Sequence, residues 1–174
     1  MRLFTALCPP PDVVAAVAAA LGEPGPGPRW SPPEDWHITL AYYGEADEDE
    51  RAAELAPALA GRNSVDVRLT GPGTFPGVLW LGVTGEGLPR LAEAAGADRE
   101  DRPYRPHLTL ARFPRDRPRT VRPWTQLLTG FASRTWTAHE VVLMGGADTP
   151  GPRYRRLRAF PLRTPSSGGV RDRG

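Results

Sequence analysis

A chain of 174 residues, 40% of them apolar, suits one domain or two small lobes sharing a core, and excludes a disordered chain. A single cysteine, Cys8, excludes an internal disulfide and a cysteine-built zinc site. The net charge of +2 hides a division: residues 1–87 carry 5 Arg against 12 acidic residues, a balance of −7, whereas residues 88–174 carry 17 Arg against 8, a balance of +9. A basic half suits a polyanionic partner such as nucleic acid. It is also what ordinary solvated faces look like in a chain whose 22 basic residues are all Arg.

In chain order, "RLFTALC" reads as a strand, with Cys8 as a small buried hydrophobe at its end. "PDVVAAVAAALG" is a helix with Pro near its start and Gly22 as its stop. The apolar opening is broken by prolines, which speaks against a signal peptide, and no stretch approaches a membrane span; a reducing cytoplasm is expected. The Pro/Gly run "GEPGPGPRW" is a loop leading to the alternating strand "WHITLAYYG". "DEDERAAELAPALAG" is an amphipathic helix with acids in its first turn, Gly61 at its end, and Pro57 placed to kink or shorten it. Strands "SVDVRLTG" and "GVLWLGVTG" flank a turn at "TFPG", and "GLPRLAEAAG" is a short helix. "PHLTLARF" is a strand, "PWTQLLTGF" a short helix, and "TWTAHEVVLM" with "RYRRLRAFPL" a closing hairpin. Residues 164–174 read as a disordered tail after one domain of residues 1–163.

One repeat stands out. "HITLAY" begins at His37 and "HLTLAR" at His107, so two of only 3 histidines open nearly the same hexapeptide. Alternation along a strand puts His37 and Thr39 on one face and Ile38 and Leu40 on the other; His107 and Thr109 repeat this against Leu108 and Leu110. Two halves related by a pseudo-twofold axis bring both His/Thr faces to one groove. Paired imidazoles suit acid–base chemistry near neutral pH, and two Thr hydroxyls can donate to the non-bridging oxygens of an anion. That set fits phosphodiester cleavage by water or a ribose hydroxyl. The bland alternative is a pair of strand histidines on an exposed face. A metal site wants three or four ligands at H-x-H or H-E-x-x-H spacing, which the chain lacks. His139 has no Thr partner and reads as a surface residue of a hairpin strand.

With these motifs the chain resembles the two-histidine phosphoesterase superfamily. More narrowly it is similar to the bacterial and archaeal RNA 2′,3′-cyclic phosphodiesterases, once described as 2′-5′ RNA ligases. The similarity runs from Met1 to about Leu162 through "MRLFTAL", "WSPPEDWHITLAYYG", "FPGVLWLGV", "YRPHLTLARF", "HEVVLM" and "RYRRLRAFPL". It implies an α+β fold: bilobal, with duplicated strand–helix–strand units, mostly antiparallel sheets lining a central cleft, and helices outside. It implies action without cofactor or metal on RNA ends or nucleotides that carry a 2′,3′-cyclic phosphate, leaving a 2′-phosphate; a monomer is expected. In such enzymes the first-motif histidine protonates the leaving 3′ oxygen and the second activates water, roles that pass to His37 and His107. Thr39 and Thr109 then hold the phosphate, and Tyr42 and Arg112 clasp the base. Strict alternation turns Tyr42 and Arg112 away from the histidines, so the clasp requires each strand to end or bulge just before them. Two departures are a short segment between "LWLGV" and "RPHLTL", which trims one wall of the cleft, and Trp36, expected to pack rather than react. The alternatives are an RNA- or nucleotide-binding module without turnover and a 2′-5′ ligase running the same chemistry backwards.

Overall fold

The three-proline break after the first strand becomes a helix start. β1 (Arg2–Leu7) leads into α1 (Pro11–Leu21), whose Pro11 occupies a first-turn position where no backbone N–H is needed. Val13, Val17 and Leu21 recur every fourth residue and are buried, and Gly22 leaves the helix at φ +64. In the computed structural model, which describes residues 1–99, 101–147 and 150–165, the Pro/Gly loop then contains a two-residue strand, β2 (Arg29–Trp30). β3 (Ile38–Glu45) carries the first hexapeptide. α2 (Glu48–Leu59) is capped by the Asp47 carboxylate, which accepts from the Glu50 backbone N–H at 3.0 Å. Pro57 lies inside α2, where it removes the N–H that would bond the Ala53 carbonyl, and the helix stops at Leu59, short of Gly61.

β4 (Val65–Phe75) and β5 (Val78–Thr84) form the expected hairpin, its turn closed by Gly77 at φ +81. The remaining elements are α3 (Leu88–Ala94), β6 (His107–Arg112) with the second hexapeptide, α4 (Arg122–Leu127), β7 (Trp136–Ala138), β8 (Glu140–Gly146) and β9 (Tyr154–Pro161). The strands run in one antiparallel order, β7-β4-β5-β6-β3-β1-β8-β9, with β2 added beside β6. The two halves mirror each other about the centre: β6 answers β3, β5 answers β1, and β4 answers β8. They meet through one ladder pair, Ile38 with Leu108.

The stretch "TWTAHEVVLM" is not one strand. β7 pairs β4 in one lobe and β8 pairs β1 in the other, and the chain crosses between them at His139, which is exposed. Strands one residue apart in sequence but far apart in ladder order require a sheet that curls until its ends approach. The backbone bonds agree: the Leu162 N–H donates to the His139 carbonyl at 2.7 Å, and the Arg163 N–H to the Arg62 carbonyl at 2.8 Å. The closing hairpin is therefore β8 with β9 alone. Of the expected tail, residues 166–174 lie outside the described residues.

The apolar faces of both motif strands supply the centre of the core. Ile38, Leu40, Leu108 and Leu110 pack there with Val13, Val17 and Leu21 of α1 and Leu55 and Leu59 of α2. Trp36 is buried and its indole N–H donates to the Ser31 carbonyl at 3.0 Å, a packing role as expected. A second small cluster, Phe4, Ala6, Val142 and Met144 with half-buried Cys8, lies apart from the main core. Burial pushes the Cys8 thiol pKa up, which keeps it protonated and a poor nucleophile. Among the described residues no helix is long and apolar enough to cross a membrane.

Candidate active site

An antiparallel pair places the neighbours of each partner crosswise. With Ile38 opposite Leu108, His37 falls on the side of Thr109 and Thr39 on the side of His107, all four on the face opposite the buried leucines. The four side chains are neither buried nor fully exposed, as groups lining a groove should be. A second tie steadies this thin junction: the Tyr104 hydroxyl donates to the Thr39 carbonyl at 3.0 Å.

Both imidazoles are held the same way. His37 Nδ1 lies 2.7 Å from the Asp35 carbonyl oxygen, and His107 Nδ1 lies 2.7 Å from the Arg105 carbonyl oxygen. A carbonyl only accepts, so Nδ1 of each ring carries the proton and Nε2 is left for a substrate. Each ring also rests on an aromatic wall. Phe4 and Tyr154 flank His37 at centroid distances of 4.8 and 5.2 Å; Phe75 and Trp80 flank His107 at 5.0 and 6.3 Å. Gly73 makes the second wall possible, because a Cβ there would sit 2.1 Å from the Trp80 ring. Beside His107 opens a cavity of about 580 Å³ lined by Phe75, Trp80, Gly82, Tyr104 and Arg105.

Burial lowers the pKa of both histidines. Their remaining surroundings differ. For His37 the bond to the Asp35 carbonyl and the Asp35 carboxylate push back upward, and His107 pushes down. For His107 the Arg105 carbonyl pushes upward, while Arg102 and Arg112 push further down. His37 thus has a carboxylate neighbour and His107 has cations.

The bulge that the clasp requires is present in both copies. β1 pairs Ala6 with Thr39 and Thr5 with Ala41, leaving Leu40 as the extra residue. β5 pairs Trp80 with Thr109 and Leu79 with Ala111, leaving Leu110 as the extra residue. Beyond each bulge the alternation inverts. Tyr42 then lies opposite Phe4, and Arg112 opposite Val78, two residues from Trp80. Directly paired residues share a face, and Phe4 and Trp80 touch the histidines. Tyr42 and Arg112 therefore stand on the histidine face, one per lobe. Tyr42 is 48% exposed and no part of the core.

The sequence model of the 2′-5′ RNA ligase superfamily matches residues 9–149. The chain belongs to that superfamily. As a member it is an enzyme of the phosphoesterase kind. Its curated relatives include proteins named RNA 2′,3′-cyclic phosphodiesterase from Thermus thermophilus, 34% identical over 94% of this chain and 91% of that one, and from Archaeoglobus fulgidus, 31% identical over 92% and 99%. Among solved structures, TT0787 of Thermus thermophilus superposes with a TM-score of 0.74 at 30% identity, covering 94% of this chain and 99% of that one. Escherichia coli LigT complexed with NADP+ superposes with a TM-score of 0.71 over 92% and 96% at 23% identity, a likeness of fold.

In this superfamily member the six residues that the sequence singles out, both histidines, both threonines, Tyr42 and Arg112, all lie on one face of the sheet. The sequence signal missed the aromatic walls, because Phe4, Phe75, Trp80 and Tyr154 carry no signal beyond strand apolarity. It missed Asp35, hidden in a short 3₁₀ turn (Pro33–Asp35), whose carboxylate is buried and accepts from the Arg153 N–H at 3.1 Å. Among the described residues no three His, Cys, Asp or Glu side chains gather as metal ligands.

Proposed function

We propose that the protein hydrolyses RNA or nucleotide 2′,3′-cyclic phosphate ends to a 2′-phosphate, with His37 and His107 as its acid–base pair and no metal. The observation that carries this reading is the matched pair of imidazoles beside Thr39 and Thr109, each with Nδ1–H spent on a carbonyl, which leaves Nε2 of each ring for a substrate. The names of the relatives support the substrate class.

His107 Nε2 takes a proton from water as the water oxygen attacks phosphorus. The bond from phosphorus to the 3′ oxygen breaks, and protonated His37 delivers its Nε2 proton to that oxygen. The 2′ ester survives and a 2′-phosphate leaves. Thr39 and Thr109 hydroxyls donate to the non-bridging oxygens, where charge accumulates. The charge environment supports this division of roles: the Asp35 carboxylate favours a protonated His37, and Arg102 and Arg112 favour a neutral His107.

A nucleoside 2′,3′-cyclic phosphate incubated in excess EDTA is expected to be consumed, with the product phosphate on the 2′ position by phosphorus NMR. Activity lost in chelator and regained with a divalent ion overturns the metal-free reading; a 3′-phosphate product overturns the assigned leaving group.

Asp35 gives the acid assignment its own test. Asp35→Asn keeps an acceptor for the Arg153 N–H and removes the charge that favours imidazolium. The pKa of His37 should fall, so the alkaline limb of kcat/KM against pH, which reports the acid, should move to lower pH while the acidic limb stays. Movement of the acidic limb instead would exchange the two roles.

A further inference from the structure

Arg29 sits on the site face. β2 pairs with β6 in the register Arg29 opposite Arg112 and Trp30 opposite Ala111. Direct partners share a face, so Arg29 lies beside Arg112 on the histidine side, while Trp30 turns with buried Ala111 to the core. The placement is anchored on the core side. The Trp30 indole N–H donates to the Gly25 carbonyl at 3.1 Å, its ring meets Trp124 edge-on at 5.0 Å, and the Ser31 N–H donates to the Leu110 carbonyl at 2.9 Å. Two residues of strand, held this firmly, serve to present one side chain.

That side chain is placed at a local cost. Like charges directly opposite each other on a sheet are destabilising. Among the described residues neither Arg29 nor Arg112 has a carboxylate within ion-pair distance, although Arg2, Arg51, Arg134, Arg156 and Arg158 all do. Both are exposed. Two adjacent uncompensated guanidiniums at the rim of a groove form a site for an anion.

Resting on the proposed function, the geometry of the substrate says which anion. The cyclic phosphate lies by His107 and Thr109, and the terminal nucleoside reaches along β6 to Arg112. With Leu110 bulged out, Arg112 stands only two ladder positions beyond Thr109, from Trp80 to Val78 on β5, roughly 7 Å at about 3.3 Å per residue. The next group along an RNA chain, past the 5′ oxygen of that nucleoside, is a phosphodiester. We infer that Arg29, with Arg112, binds this 5′ phosphate, so that the enzyme prefers ends of RNA chains to cyclic mononucleotides.

The test compares a nucleoside 2′,3′-cyclic phosphate with the same compound bearing a 5′-phosphate and with a tetranucleotide ending in the cyclic phosphate. The two 5′-phosphorylated compounds are expected to show KM lower by roughly tenfold or more, the worth of a hydrogen bond to a charged group. The preference should shrink as salt rises. In Arg29→Gln it should fall to near parity, and Arg29→Lys should retain part of it, with melting temperatures recording that each variant folds. Anisotropy of a labelled tetranucleotide ending in a 2′-phosphate, against its 5′-hydroxyl mononucleotide, gives the same comparison by binding alone and decides the inference even if turnover is absent. Equal affinity for both in the native protein, or a preference undiminished in Arg29→Gln, overturns it. A lack of turnover on every cyclic substrate instead overturns the proposed function.

Discussion

His107→Ala, and separately His37→Ala, is expected to lower kcat/KM for a 2′,3′-cyclic nucleotide by about 10²–10⁴, the usual worth of a positioned base or acid. The expectation rests on the identical seating of the two rings. Each spends Nδ1–H on the carbonyl two residues earlier, so each presents the same nitrogen to the groove. Loss of either breaks the relay of one proton in and one proton out. The double variant should therefore cost less than the product of the single losses, because the second group has little left to do once the first is gone. Folding should survive, since both rings border the groove and neither belongs to the main core. Near-native activity in either single variant would sink the paired mechanism.

Tyr42→Ala is expected to raise KM by roughly ten- to a hundredfold with kcat largely kept, in line with about 1–3 kcal/mol for a base stacked on an aromatic ring. Its place beyond the Leu40 bulge, on the histidine face and opposite Arg112's place in the other lobe, motivates this. The four bases should lose alike, because every base has a face to stack. At 48% exposure the ring contributes little burial, so the melting temperature should move little. Unchanged KM together with a sharp fall in melting temperature would return Tyr42 to a structural role. Its neighbour Tyr43 shows what that role looks like: its hydroxyl bonds the Thr5 hydroxyl at 3.0 Å and the Ala95 carbonyl at 2.7 Å.

The hexapeptides were the most informative letters in the chain. Alternation is a property of a strand by itself, so His37 and Thr39, or His107 and Thr109, share a face wherever the strand ends up. Helix starts and stops were legible for the same local reason: Pro11, Asp47 and Gly22 act on their own turn. The need for a bulge before Tyr42 and Arg112 was also legible, as a conflict between alternation and function. Its location was not. Leu40 and Leu110 became the extra residues only against β1 and β5, whose registers skip them.

Whatever depended on a partner strand waited for the tertiary structure. "TWTAHEVVLM" reads as one strand because its pattern is continuous, yet Trp136 pairs with Val67 in one lobe and Val142 with Ala6 in the other. Arg29 looks like loop because two residues carry no periodicity; only β6 makes them a strand and turns Arg29 to the groove. The aromatic walls arise from residues as distant as Phe4 and Tyr154 meeting around His37. By itself the sequence determined which side chains share a strand face and where helices begin, since those follow from backbone geometry within a few residues. The fold alone decided which faces meet, in what register and beside which charges, because pairing is a choice among strands far apart in the chain, settled by burial of all their apolar faces at once.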